Sequence, residues 1–178
     1  MTVTSNVAGL EDTGMVSVGE IAPDFTIPKA GGSAYNDISE FILSDALGDG
    51  PLVLAFFPAA FTSGCTDEMC AFRDSIHAFN DLNAQVYGIS VDLPFALNVW
   101  IEQEGLNFPM LSDWNHDVIR QYDVVRSDLY GSIESARRSV FVIESDRTVA
   151  HKWVRADENP DFGELIDHVL DQVKAVEA

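Results

Sequence analysis

Cys65 and Cys70 are the only cysteines among the 178 residues, and both fall in one stretch, F-F-P-A-A-F-T-S-G-C-T-D-E-M-C-A-F-R-D over 56–74. Thiols so placed admit four kinds of chemistry: a structural disulfide, a metal site, inert burial, or a reactive sulfur with a helper. Free cysteines are commonly buried as small hydrophobes, so inert burial is the ordinary expectation. The setting of Cys65 departs from it. An apolar run gives way to helical spacing there, and the unpaired N–H groups and dipole of a helix N-terminus favour negative charge. Thiols become more acidic at such positions, and the thiolate is the nucleophile. Cys70 lies further into the helix among Met69, Ala71 and Phe72, a more ordinary place.

A staple within a continuous helix fails on geometry. Five helical residues separate the Cα atoms by about 8–9 Å, whereas a disulfide needs them within about 7 Å. Joining the two sulfurs therefore requires the first helical turns to unwind, which fits a switch and not a passive bridge. Structural zinc wants four ligands at recognisable spacing. The other candidates, His77, His116, His151 and His168, are spread singly along the chain, each expected at the surface or satisfied in the core. The Cys-x-x-Cys of a dithiol oxidoreductase is also missing. What remains is a nucleophilic Cys65 with Cys70 as a candidate second thiol.

Positioning such a sulfur takes a strand ending at the loop and a helix leaving it. Leu52–Phe57 is a continuous apolar run, the pattern of a strand buried on both faces. Thr66–Leu82 follows at helical spacing with Met69, Phe72, Ile76 and Phe79 on one side. Before them, residues 22–28 read as a short strand, Gly31-Gly32 as a turn, and 37–47 as a strand edge or short helix. After them, Val86–Val91 reads as a strand, Pro94–Glu104 as a helix, Phe108–Leu111 as a short strand and His116–Tyr122 as a helix. Ser139–Ile143 and Val149–Val154 pair as a hairpin, and Phe162–Val176 closes the chain as an amphipathic helix. Strands alternating with helices predict an α/β layer structure with a partly parallel central sheet. No internal repeat or linker divides it, so one domain is expected over 18–178, preceded by a flexible N-terminal arm over 1–17.

Charge narrows the partners. Ten basic residues stand against 29 acidic ones, a formal net charge of -19, which repels phosphates and anionic membranes. Neither nucleic acid nor a membrane is an expected partner. The 47% apolar content, arranged in periodic blocks, excludes a disordered acidic chain. The acidic balance fits a well-hydrated surface or a halophilic adaptation to a salt-rich cytoplasm; in the second case the protein unfolds on dialysis into low salt. No stretch approaches the ~20 apolar residues that span a bilayer, and the first twenty residues lack the basic and apolar regions of a secretory signal. A cytoplasmic location is expected.

Pro58, Thr62, Cys65 and Glu68 spell P-x3-T-x2-C-x2-E, which resembles the active-site signature of the peroxiredoxins. G-E-I-A-P-D-F at 19–25 resembles their N-terminal segment, and Ser90-Val91-Asp92 the end of the strand after their active-site helix. Arg138, just before the strand Val140–Ile143, matches the arginine that the family sets opposite its reactive cysteine. The resemblance runs from about residue 18 to 155. It implies a thioredoxin-like fold, a central mixed sheet flanked by helices, and a thiol-dependent peroxidase with no cofactor. Cys65 would attack a peroxide oxygen and become a sulfenic acid. Arg138 would stabilise the thiolate and the leaving oxygen, Thr62 would offer its hydroxyl, Pro58 would shape and shield the loop, and Glu68 would hold an arginine. Each has a plainer alternative: Pro58 ending the strand, Thr62 as an N-cap, Glu68 on a solvated face, and Arg137 in place of Arg138.

The C-x4-C spacing resembles the peroxiredoxin Q, or bacterioferritin comigratory, group, in which the second cysteine resolves the first. F-P-A-A-F-T is more similar to the one-cysteine alkyl hydroperoxidase E group. The resemblance implies an intramolecular disulfide with Cys70 as the resolving thiol, against a one-cysteine cycle finished by an external thiol. A thioredoxin- or glutaredoxin-type reductant and a homodimer are further implications. A redox sensor and a thiol-disulfide oxidoreductase stand as rival functions. Phe61, Phe95 and Trp100 are candidates for a dimer surface, a substrate pocket or core.

Overall fold

The structure is a computed structural model that describes residues 16–31 and 34–177. Nearly all of the arm expected over 1–17 lies outside them; at its end Val16 is buried, and its carbonyl accepts a hydrogen bond from Lys152 Nζ at 2.8 Å.

The elements run β1 (Thr26–Ala30), β2 (Ile38–Ile42), α1 (Leu43–Ala46), β3 (Leu52–Phe56), α2 (Ser63–Asp81), β4 (Gln85–Ser90) and α3 (Pro94–Glu104). They continue with β5 (Met110–Ser112), α4 (Asp117–Gln121), β6 (Val125–Leu129), β7 (Ile133–Ala136), β8 (Ser139–Ile143), β9 (Val149–Val154) and α5 (Phe162–Glu177). Seven strands form one sheet in the order β2-β1-β5-β4-β3-β8-β9, and β6 and β7 form a separate hairpin. β3 is parallel to β4, and β4 to β5, while β8 runs antiparallel to β3. The mixed α/β architecture with a partly parallel sheet is the expected one, and it is a thioredoxin-like fold.

The continuous apolar run of β3 has its reason in two cores. Side chains alternate across a strand, so Val53, Ala55 and Phe57 join the core beneath α2, α3 and α5, and Leu52, Leu54 and Phe56 join the one beneath α4. All six are fully buried, and each large side chain so buried contributes about 1.5–3 kcal/mol. On α2 the buried positions Cys65, Met69, Phe72, Ile76 and Phe79 fall on one stripe at helical spacing. Proline at the first turn starts α3, and Gly105 ends it at φ 60°, in the left-handed conformation glycine adopts without a Cβ clash.

Three elements start two or more residues away from the sequence expectation. The first strand starts at Thr26 and not at Ala22, because the Ala22 N–H is taken by the Arg147 carbonyl and Pro23 has none to give. β5 starts after Pro109 for the same lack of a donor. α2 starts at Ser63, one turn earlier than the apolar spacing indicates.

Candidate active site

β3 ends at Phe56, and Phe57 still donates its N–H to the Ile89 carbonyl at 3.0 Å. Pro58 is buried where the chain leaves the sheet. The loop is then pinned from β4, as Asp92 Oδ2 accepts from the Ala60 N–H at 2.8 Å and from the Ser90 hydroxyl at 2.7 Å. Phe61 holds φ 65°, a left-handed backbone that costs a non-glycine residue about 1–3 kcal/mol. Its ring is half exposed and lies 6.2 Å from that of Trp100, which is core. Thr62 occupies the N-cap position of α2, but its hydroxyl makes no cap; it donates back to the Ala59 carbonyl at 2.8 Å. Its own carbonyl accepts the Thr66 N–H and hydroxyl, both at 2.9 Å.

This route delivers Cys65 to the first turn of α2, 1% exposed. The partner comes from 73 residues away. β8 pairs with β3 in a register that sets Ser139 opposite Phe56, so Arg138, one residue earlier, falls beside the loop that leaves β3. Arg138 Nη2 donates to Cys65 Sγ at 3.4 Å and Nη1 donates to Glu68 Oε2. Arg137 does not share this place; its backbone N–H donates to the Val124 carbonyl, and its side chain is half-buried. Arg138 is 3% exposed and Glu68 fully buried. Burial pushes the Glu68 carboxyl up, against the downward pull of the Arg138 charge beside it. Its second oxygen, Oε1, has no hydrogen-bond partner among the described residues.

Two contacts on Arg138 had no counterpart in the sequence reading. Nε donates to Asn159 Oδ1 at 3.1 Å, and the guanidinium carbon sits 5.3 Å from the centre of the Phe162 ring. Asn159 Oδ1 also accepts from Arg155 Nη1 at 3.1 Å. Gly64 closes the arrangement: a Cβ there would lie 3.0 Å from Asn159 Nδ2 and 3.5 Å from Arg138 Nη2.

Cys70 belongs to a different environment. It is half-buried, it is a free thiol like Cys65, and burial pushes its thiol up while the Arg73 charge pulls it down. Arg73 pairs with Asp74 at 2.9 Å and donates to the Glu104 carbonyl at 2.7 Å; Glu68 takes Arg138 instead. The histidines are not all solitary, since His151 and His168 meet at 3.1 Å between their Nε2 atoms. Among the described residues no group of three His, Cys, Asp or Glu could hold a metal ion, and no helix is long and apolar enough to cross a membrane. A cavity of about 450 Å³ lined by Lys29, Ile101 and Phe108 contains none of the site residues.

A buried sulfur at a helix N-terminus, with a guanidinium N–H aimed at it, is suited to nucleophilic attack: ionised acceptors bind such donors roughly twice as strongly as neutral ones. Comparison with known proteins places the arrangement in context. Residues 18–152 match the family model described as AhpC/TSA. Peroxiredoxin Bcp of Escherichia coli is 35% identical over 138 residues, covering 76% of this chain and 84% of that protein. The crystal structure of peroxidoxin BcpB from Mycobacterium tuberculosis superposes with a TM-score of 0.79 at 32% identity, covering 92% of this chain and 99% of that one. A reduced 2-Cys peroxiredoxin of Plasmodium vivax gives 0.76 at 25% identity, over 90% and 81% of the two chains.

Proposed function

The chain belongs to the AhpC/TSA family and is a peroxiredoxin, a thiol-dependent peroxidase; from that premise we propose that Cys65 is its peroxidatic sulfur, served by Arg138, Thr62, Pro58 and Glu68. The observation that carries this reading is the Arg138 Nη2–Cys65 Sγ contact of 3.4 Å at the start of α2. In the first step the Cys65 thiolate attacks the terminal oxygen of a hydroperoxide and the O–O bond breaks. Sulfur takes the OH and is oxidised to a sulfenic acid. The remaining hydroxide or alkoxide takes a proton from solvent and leaves as water or alcohol. Arg138 faces both charges, that of the sulfur and that developing on the leaving oxygen. Glu68 holds Nη1 so that Nη2 is free for sulfur. Pro58 and the Asp92-pinned loop keep water from the thiolate. The Thr62 donor is spent on Ala59, which leaves its lone pairs to accept from the peroxide.

We propose further that Cys70 resolves the sulfenic acid. Its thiol condenses with Cys65–SOH, forming the disulfide and releasing water. A thioredoxin- or glutaredoxin-type dithiol then reduces the bond. In α2 the two residues lie five positions apart in unbroken helix, beyond disulfide reach, so resolution includes unwinding of the first turns. That unwinding also takes Cys70 out of the surroundings that hold its thiol protonated. Need for a reducing partner thiol fits a cytoplasmic setting. A homodimer belongs to the same reading, since Phe61, Leu93, Phe95 and Val99 leave exposed apolar surface beside the loop.

Stopped-flow oxidation by peroxide, followed through the fluorescence of the three tryptophans, tests this. Wild type and Cys70→Ser should react quickly while Cys65→Ser is silent, and a slower second phase should be missing only in Cys70→Ser. A second phase that survives in Cys70→Ser would remove Cys70 from the resolving role. Wild type reacting no faster than a free thiol would remove Cys65 from the role.

A further inference from the structure

The guanidinium of Arg138 is planar, with its donors in a fixed fork. Two of its three nitrogens, Nη1 and Nη2, meet Glu68 and Cys65. Both contacts lie at the far end of the group. The third nitrogen, Nε, on the near side, donates to Asn159 Oδ1 at 3.1 Å and adds a third direction of restraint on the planar group. With that contact all three nitrogens have a partner, and Phe162 covers one face at 5.3 Å. Asn159 also touches the other side of the site, because its Nδ2 occupies the space where a Gly64 side chain would begin. One exposed amide in the loop between β9 and α5 therefore touches both the arginine and the helix turn that bears the reactive sulfur.

We propose that Asn159 is a positioning residue of the peroxidase reaction, aiming Arg138 Nη2 at Cys65 Sγ. The inference rests on the reading of Cys65 as the peroxidatic sulfur, and it goes beyond the matched family segment, which ends at residue 152. The residue type has a physical logic. Asn159 Oδ1 collects donors from two arginines, Arg138 and Arg155. An amide orients these cations and leaves their charge uncancelled. A carboxylate in its place would offer the same acceptor but add an anion near the sulfur, where thiolate formation needs positive potential.

The test compares wild type with Asn159→Ala, Asn159→Asp and Cys65→Ser in the full chain, with hydrogen peroxide as probe. Three quantities are read: the second-order oxidation rate constant, the pH at which Cys65 alkylation by iodoacetamide is half-maximal in a Cys70→Ser background, and Tm. Asn159→Ala is expected to slow oxidation about tenfold across the pH range, the order of effect of one charge-assisted hydrogen bond, with Tm nearly unchanged because the side chain is exposed. Asn159→Asp keeps the acceptor; it is expected to shift the alkylation midpoint upward and to recover most of the rate above that midpoint. Wild-type rates and midpoints in both variants overturn the proposal, as does a slower Asn159→Ala whose loss is matched by a fall in Tm and by no recovery in Asn159→Asp. Failure of the underlying reading looks different: wild type and Cys65→Ser would then react alike, and both readings fall.

Discussion

Cys65 and Cys70 sit on one helix, on the same side of the same sheet, yet their surroundings share almost nothing. Cys65 is the more buried of the two and faces a guanidinium from another strand, itself held by Glu68, Asn159 and Phe162. Cys70 is half-exposed among Asp67, Asp74, Glu104 and Arg73; burial pushes its thiol up, the Arg73 charge pulls it down, and the three carboxylates push it up again. Exposure would rank Cys70 as the reactive thiol. Partners rank Cys65. The difference teaches that one helix can carry an active and a quiet sulfur when only one lies in the register of a remote cation.

The change that should erase most of this contrast is Arg138→Lys. An ammonium cannot bind Glu68, Asn159 and sulfur at once, and loss of a preorganised donor costs about 10²–10³-fold. The expected outcome is that drop in the peroxide rate constant by stopped flow, with Cys65 approaching the alkylation rate of Cys70. Next comes Glu68→Gln, which leaves a buried guanidinium without its counter-ion; unfolding in urea should show a loss of about 3–5 kcal/mol. A smaller effect sharpens the comparison directly. In wild type at pH 7, iodoacetamide should label Cys65 about tenfold faster than Cys70 by mass spectrometry of digests, a ratio corresponding to 1.4 kcal/mol of activation; faster labelling of Cys70 would break it.

The smallest expected effect lies away from both thiols. Burial, reinforced by His168, lowers the His151 pKa to about 4 from its ordinary 6.5. A depressed histidine makes the unfolded chain bind protons first, so its contribution is intact above about pH 6.5 and is lost as pH falls toward 4. Thermal scans between pH 7 and 4 should show a fall in Tm that is shallower in His151→Gln, while peroxide kinetics at pH 7 stay unchanged.

Much of this was legible in the sequence, for particular reasons. α3, β8 and β9 carry their own punctuation: Pro94 and Gly105 bracket the helix, and the S-D-R-T turn separates two apolar runs. The loop from Pro58 to Glu68 is contiguous, so its residue types and spacing could be read together. The hairpin of β6 and β7 leaves little trace in the sequence because V-R-S-D-L and I-E-S-A are short, polar and only partly buried, too short for a period to detect; Gly131, at φ 92°, sits at its turn. His151 and His168 stand singly in the sequence because their pairing across β9 and α5 leaves no trace in spacing. Asn159 was invisible for the same reason. It meets Arg138 only through the tertiary fold, and a lone amide in an exposed loop has no pattern of its own.

The left-handed backbone of Phe61 has a consequence in time. The start of α2 follows a strained residue, lacks a side-chain cap and carries no acidic residue in its first turn. Its other end is bound to the sheet through Phe72, Ile76 and Phe79. Local opening follows the weaker end, so backbone amides at Thr66 and Asp67 should exchange with solvent deuterium ahead of those near Phe72. On that expectation the helix opens first at the turn that bears Cys65.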